Sequence, residues 1–211
     1  IYPEHTFDWN NFLYACGTCN SGKSNKFAVF RTDNGAFEDV KPPHHTKRPV
    51  GYVKMPPPLG MPVLINPRKI DPFEYLLMDL QDFRFVPLST DENSKQYQIA
   101  NFTINTVLNL NRPLLPEARK TAFKNFRAIL SEYKLNKKTN NNASLAKDTI
   151  ETIFENPHIT VWFEMIRWYK DDTLRAGFQQ IHNDVFQLFQ AIPEVLDWAL
   201  SEIDDNIPPF Q

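Results

Sequence analysis

The sequence predicts a mixed α+β chain: a stapled finger at the start, a small antiparallel β region, then a mainly helical C-terminal lobe. Three observations lead there. Cys16 and Cys19, both cysteines of the 211 residues, form a Cys-x-x-Cys pair inside an opening stretch with several Asn and aromatic residues. Short apolar runs bounded by prolines fill the middle, which suits strands better than helices. From about Pro113 onward, apolar residues recur at helical spacing. The chain accordingly divides into 1–111, the finger with a proline-rich connection and β region, and 112–211, the helical lobe.

Each element follows from local chemistry. Two thiolates three positions apart can hold one zinc from a tight knuckle, which is half of a tetrahedral site. That spacing alone is shared with redox motifs. Between Arg31 and Pro67, Pro42-Pro43, Pro49, Pro56-Pro57-Pro58 and Pro62 predict an extended connection tracking the surface. Asp33-Asn34-Gly35 is a turn signal within it. His44-His45 reads as a loop pair, because adjacent side chains of an extended chain point in different directions. Residues 62–66 and 75–79 read as short buried strands and 83–87 as an edge strand, together a small antiparallel sheet. Residues 98–109 are apolar at helical spacing and predict a core helix.

Residues 113–133 form the clearest amphipathic helix. Leu115, Ala118, Ala122, Phe126, Ile129 and Tyr133 line one face, while Lys120, Lys124 and Arg127 line another. The basic stripe suits either a nucleic-acid backbone or plain solvent. Residues 137–142 are polar and read as a flexible boundary. Helices follow near 144–155, 158–170, 173–190 and 193–203, each starting near a Ser, Asp or Pro. Their aromatic residues (Trp162, Phe163, Trp168, Tyr169, Phe178, Phe186, Phe189, Trp198) predict a compact core, with His182 inside a helix.

Charge is unevenly spread. Residues 112–140 carry eight Lys/Arg against two Asp/Glu, and residues 141–211 carry four against twelve. Polyanion contact therefore suits the first block, and packing or partner docking the second. No apolar run approaches the ~20 residues that cross a bilayer, so a cytoplasmic protein without a membrane partner is expected. A phosphate-cradling Gly-rich loop, a Ser nucleophile elbow and a His-Glu-x-x-His pattern are all missing, and six glycines make nucleotide hydrolysis by this chain an unpromising reading.

Asn11 stands nine residues before Asn20, and Asn20 directly follows the cysteine pair, with Lys23 and Lys26 beyond it. This Asn…Cys-x-x-Cys-Asn-x-x-Lys arrangement resembles the back half of the HNH endonuclease motif, the zinc-stapled, treble-clef-like ββα-metal finger. Leu64-Ile65-Asn66-Pro67-Arg68, Asp71-Pro72, Thr103-Ile104 and Leu108-Asn109-Leu110-Asn111 extend the resemblance to the HNH subunit of retron-associated and Septu-type anti-phage defence systems. The resemblance covers roughly the first 130 residues. It implies a strand or turn over Phe12–Ala15 and a short helix from about Asn20 carrying Lys23 and Lys26 toward phosphates.

It also implies a metal-dependent DNA endonuclease. Asn20 would offer its amide oxygen to a Mg²⁺-type ion, Asn11 would brace the loop that carries the general base, and Cys16 and Cys19 would share a structural Zn²⁺. DNA would be the substrate and an ATPase the protein partner, in a hetero-oligomer. The family's first His is not at its usual spacing; it is expected upstream of Ile1, with a second Cys-x-x-Cys. His5 lies six residues before Asn11, too few for the intervening hairpin, and reads as a loop imidazole. The rival class is a non-catalytic zinc module, a nucleic-acid or protein adaptor. Asn11 and Asn20 favour the enzyme, since a purely structural knuckle needs neither.

Overall fold

The computed structural model describes residues 26–39, 60–66, 70–139 and 143–197. Within them the chain is mixed α+β, short antiparallel strands preceding a helical lobe. The order is β1 (Ala28–Arg31), β2 (Phe37–Asp39), β3 (Gly60–Pro62), β4 (Leu76–Asp79), β5 (Arg84–Pro87), α1 (Lys95–Asn101), a π-helical turn (Phe102–Val107), α2 (Leu114–Thr139), α3 (Ala143–Phe154), α4 (Ile159–Lys170), α5 (Asp172–Ile181) and α6 (Asn183–Ala191). They fall into two compact units. One takes the described residues up to Leu76 together with Val86–Leu110; the other takes Leu77–Phe85 and those from Asn111 on.

In the first unit, β1 buries Ala28, Val29 and Phe30 at the centre of a three-stranded sheet ordered β2-β1-β3. The expected turn closes β1 onto β2: Gly35 adopts φ 68°, and Arg31 N–H donates to the Ala36 carbonyl at 2.9 Å. A residue with a Cβ would be strained there. β3 corrects the sequence reading. The strand lies at Gly60–Pro62 instead of 62–66, and it pairs with β1, Arg31 opposite Gly60 and Val29 opposite Pro62. Gly60 permits this approach, because a Cβ there would meet the Phe30 carbonyl oxygen at 2.2 Å. Pro62 is tolerated because β3 is an edge strand. The proline-rich connection is thus not irregular throughout, since β2 and β3 lie within it.

The expected core helix begins earlier and changes character. Ser94 caps α1 by accepting from Tyr97 N–H at 3.1 Å. After Asn101 the ladder widens, and Leu108 N–H reaches back five residues to the Thr103 carbonyl at 3.1 Å. Ile99, Ala100, Phe102, Ile104 and Val107 are buried along it.

β4 and β5 form a separate two-stranded hairpin, whose Leu77–Phe85 belongs to the second unit; they do not share a sheet with residues 62–66. Its strands are too short to hide their own polar backbone, so side chains from the helices complete it. Met78 is gripped on both sides: its N–H donates to Glu164 Oε1 at 3.2 Å, and its carbonyl accepts from Trp168 Nε1 at 2.9 Å. Asn111 meets the Phe85 backbone with both amide atoms, each at 2.8 Å. The Phe83 carbonyl accepts from Arg119 Nη1 at 3.0 Å. Arg119 is buried within α2, stacked 4.6 Å over the Phe85 ring, and burial with Arg112 nearby lowers its pKa to about 10. Phe83 itself sits at φ 62°, an uncommon choice for a bulky residue, held by burial against Phe123 with ring centroids 5.4 Å apart.

α2 ends six residues later than expected. Lys137, Lys138 and Thr139, read as a flexible boundary, are helical, and Lys137 is ion-paired with Glu194. Residues 140–142 lie outside the described residues. The single helix expected over 173–190 is two, broken at His182 (φ −132°, ψ 53°). The break has a physical reason: His182 Nε2 lies 2.8 Å from the Leu80 carbonyl, which puts the proton on that nitrogen, and the ring packs 4.4 Å from Phe123. Asp171 caps α5, accepting from Thr173 and Leu174 N–H. The predicted aromatic core is present, with Phe189 5.8 Å from Trp162 and 5.2 Å from Tyr169. Trp198 falls outside the described residues.

Glu164 is wholly buried, and its Oε2 has no hydrogen-bond partner among the described residues. Burial pushes its pKa from 4.5 up to about 7, against the pull of Arg167 3.5 Å away and of the Met78 N–H. A carboxyl held neutral in the fold favours folding fully below pH 4.5 and loses that advantage as pH rises through 7. The shift corresponds to on the order of 3 kcal/mol. Glu164→Gln is therefore expected to gain on wild type between pH 5 and pH 8, read as the difference in urea-unfolding free energy. His158, whose pKa is lowered by burial and Arg119, works in the opposite sense but is common to both proteins. An identical difference at both pH values would contradict the account of Glu164.

Candidate nucleic-acid interface

The expected metal-binding residues Cys16, Cys19 and Asn20, the loop-bracing Asn11, and with them Lys23, His5 and the pair His44-His45, lie outside the described residues. Among the described residues, no group of three or more His, Cys, Asp or Glu is placed to hold a metal. The donor set of the opening stretch still has a definite chemistry. Two soft thiolates fit zinc, and the carboxamide oxygen of Asn20 is a hard donor suited to a magnesium-like ion.

Lys26 is described, and its position differs from the expectation. It precedes β1 in irregular backbone and is not on a helix. It is exposed, and its Nζ donates to the Thr106 carbonyl at 2.6 Å. Two ammonium protons remain for other contacts.

The basic stripe of α2 is where the geometry is most informative. A helix of 26 residues is organised by its buried side, and Ala122, Phe123, Phe126, Leu130 and Tyr133 are turned into the core. That fixes the opposite side outward. Lys120, Lys124 and Arg127 are all exposed there. Continuing by alternating steps of four and three residues leads through Ser131 to Lys134 and Lys138. Sequence reasoning missed these last two because it ended the helix near Tyr133. The spacing itself was the available signal. At 1.5 Å per residue, Lys120 to Lys138 spans about 27 Å along one face.

Not every cation on this face is equivalent. Arg127 Nη1 is paired with Asp184 of α6 at 3.0 Å. On the neighbouring face, Lys137 pairs with Glu194, which also accepts from Tyr133 Oη at 3.2 Å. Burial, aided by Glu194, pushes that phenol up to about 12. The acidic helices thus use part of their charge to fasten α2 in place. Lys120 and Lys124 carry the clearest outward positive charge. A flexible, strongly hydrated ammonium of this kind meets phosphate as a point charge and reads no base.

Comparison of the chain with protein-family models, with curated proteins and with solved structures finds no match. Among the described residues, no helix is long and apolar enough to cross a membrane.

The stripe makes a quantitative expectation. Lys120→Glu combined with Lys124→Glu should weaken binding to any duplex DNA by at least about tenfold near 100 mM salt. It should also lower the slope of log affinity against log salt by about two. Fluorescence anisotropy across a salt series checks this. An unchanged slope would make the stripe an ordinary solvated face.

Proposed function

We propose that the chain is a metal-dependent endonuclease of the HNH kind that hydrolyses DNA phosphodiester bonds. The observation that carries the reading is the opening pattern: Asn11, then Cys16-x-x-Cys19, then Asn20 immediately after the second cysteine. A zinc knuckle accounts for the thiols and leaves two carboxamides at set distances unexplained; a nuclease finger accounts for all four residues. In this reading Cys16 and Cys19 hold structural zinc, Asn20 helps to hold a Mg²⁺-type ion, and Asn11 orders the adjoining loop. The ion, when bound, would offset negative charge on the scissile phosphate.

The rest of the chain supplies binding and position. Lys120 and Lys124, with Arg127, Lys134 and Lys138 beside them, would hold the duplex through its phosphates, independent of sequence. Lys23 and Lys26 would contact phosphate close to the finger. The acidic helices would repel DNA and suit a protein partner. The resemblance to Septu-type and retron-associated systems adds an ATPase partner, in a cytoplasmic hetero-oligomeric defence complex.

Plasmid nicking by the full-length protein with Mg²⁺ tests the reading. Wild type is expected to nick, and Asn20→Ala to lose about two orders of magnitude in rate. Equal nicking by both would remove Asn20 from the mechanism. No nicking by either would leave a zinc-bearing adaptor.

A further inference from the structure

The first unit contains a feature that neither the finger nor the basic helix uses. A cleft of about 300 Å³ opens between β2 and the α1–π-turn segment, lined by Phe37, Asp39, Gln98, Asn101, Phe102 and Thr106. That volume lies at the small end of ligand sites, enough for one planar ring system.

Its walls have a specific composition. Phe37 is 39% exposed, unusual for a large aromatic residue, yet it is not loose. Edge contacts hold it on two sides, to Phe30 at 6.1 Å and 71°, and to Phe102 at 5.7 Å and 70°. An aromatic ring braced in this way and left open to a cleft is a stacking surface whose ordering has already been achieved.

Polar groups surround it. Asp39 follows Phe37 by two residues along β2, so both side chains lie on the same face of the strand. Opposite, Gln98 and Asn101 are three apart on α1 and share a helix face. Asn101 Oδ1 accepts from Asn105 Nδ2 at 2.7 Å, which directs its own Nδ2 elsewhere. Among the described residues, that Nδ2, the Gln98 amide and the Asp39 carboxylate have no hydrogen-bond partner. The π turn widens the backbone at this point, and such insertions recur at functional sites. Lys26 is not itself a lining residue, but its Nζ donates to the backbone carbonyl of Thr106, which is one.

We propose that this cleft binds an unpaired nucleobase, carried in a strand or as a free nucleotide. The ring stacks on Phe37, its edge meets the amides of Gln98 and Asn101, and its phosphate faces Lys26. Asp39 accepts only, so the favoured bases carry an exocyclic amine: cytosine, adenine or guanine ahead of thymine. The proposal deepens the nucleic-acid reading and is independent of whether the chain cleaves.

Binding of the full chain to fluorescent single-stranded dC, dA and dT oligomers, without Mg²⁺, tests it. Oligo-dC and oligo-dA are expected to bind at least about fivefold more tightly than oligo-dT. Gln98→Ala and Phe37→Leu should each weaken oligo-dC by about tenfold, the scale of one base stack or edge contact. Asp39→Asn should erase the preference over dT. Gln98→Ala removes only a half-buried amide on α1, away from the sheet, so it keeps the test meaningful if Phe37→Leu loosens the sheet. Lys120→Glu with Lys124→Glu should weaken all oligomers alike and leave the preference in place. Competition by dCMP at the affinity of the oligomer would identify a free-nucleotide site, and competition by oligomers alone a strand site; both support the proposal. Equal binding of dC and dT, no binding of any oligomer, or an unaltered preference in Gln98→Ala and Asp39→Asn, would overturn it. Because nicking is not measured, a failed nuclease reading and a failed base site give different results.

Discussion

The second unit depends on packing a hairpin that is buried on one side and whose edge backbone cannot satisfy itself. Two strands of four residues offer one shared ladder and two open edges, and an edge inside a protein leaves N–H and carbonyl groups without water. The solution is side-chain capture. Glu164 and Trp168 take the two polar groups of Met78, Asn111 takes both from Phe85, Arg119 takes the Phe83 carbonyl and His182 that of Leu80. Each captured group would otherwise cost roughly 1–3 kcal/mol when buried. Met78, Leu80 and Phe83 are thereby free to serve as core for α2, α4 and α6.

Several features of the helices follow from this. α4 tolerates a buried carboxyl because Glu164 is needed opposite a backbone N–H. α2 carries a buried arginine because only a long donor reaches the Phe83 carbonyl while stacking on Phe85. The chain breaks between α5 and α6 because the His182 ring turns toward Leu80. With its inner side committed in this way, α2 has no rotational freedom, and its lysines face outward by consequence. The ion pairs of Arg127 with Asp184 and of Lys137 with Glu194 add orientation more than stability, since such exposed pairs contribute little. The strong separation of basic and acidic blocks along the sequence is thus partly an internal matter. Within α2, Lys120, Lys124 and their neighbours on the outer face keep their charge turned outward.

Much of this was legible in the residues, and the limits are instructive. The Asp33-Asn34-Gly35 turn, the strand expected over 83–87, a helix starting near an Asp before 173 and the amphipathic α2 were local signals, set by chemistry within a few positions. The aromatic core of the lobe was equally plain. What could not be read was anything decided at long range. Gly60 pairs with β1 because Phe30 comes close, and nothing near residue 60 announces that. His182 sits in a helix-like sequence and is drawn out by Leu80, 102 positions away. Arg119 looks like one more cation of a basic helix until Phe83 and Phe85 are placed beside it. The nuclease-like pattern is different again. It is a motif of spacing over Asn11 to Lys23, legible as chemistry in the sequence and lying outside the described residues.

The central claim is that side chains complete the edge backbone of a hairpin buried on one side and so fix the helical unit packed on it. Native-state hydrogen exchange of the Met78 amide tests this most directly. Among the described residues its captor is the Glu164 carboxyl, so its protection reports that contact. The account predicts exchange only through global unfolding, at the free energy shown by the slowest amides of α2 and α4. Exchange at the rate of an exposed loop, while those helices stay protected, would contradict it.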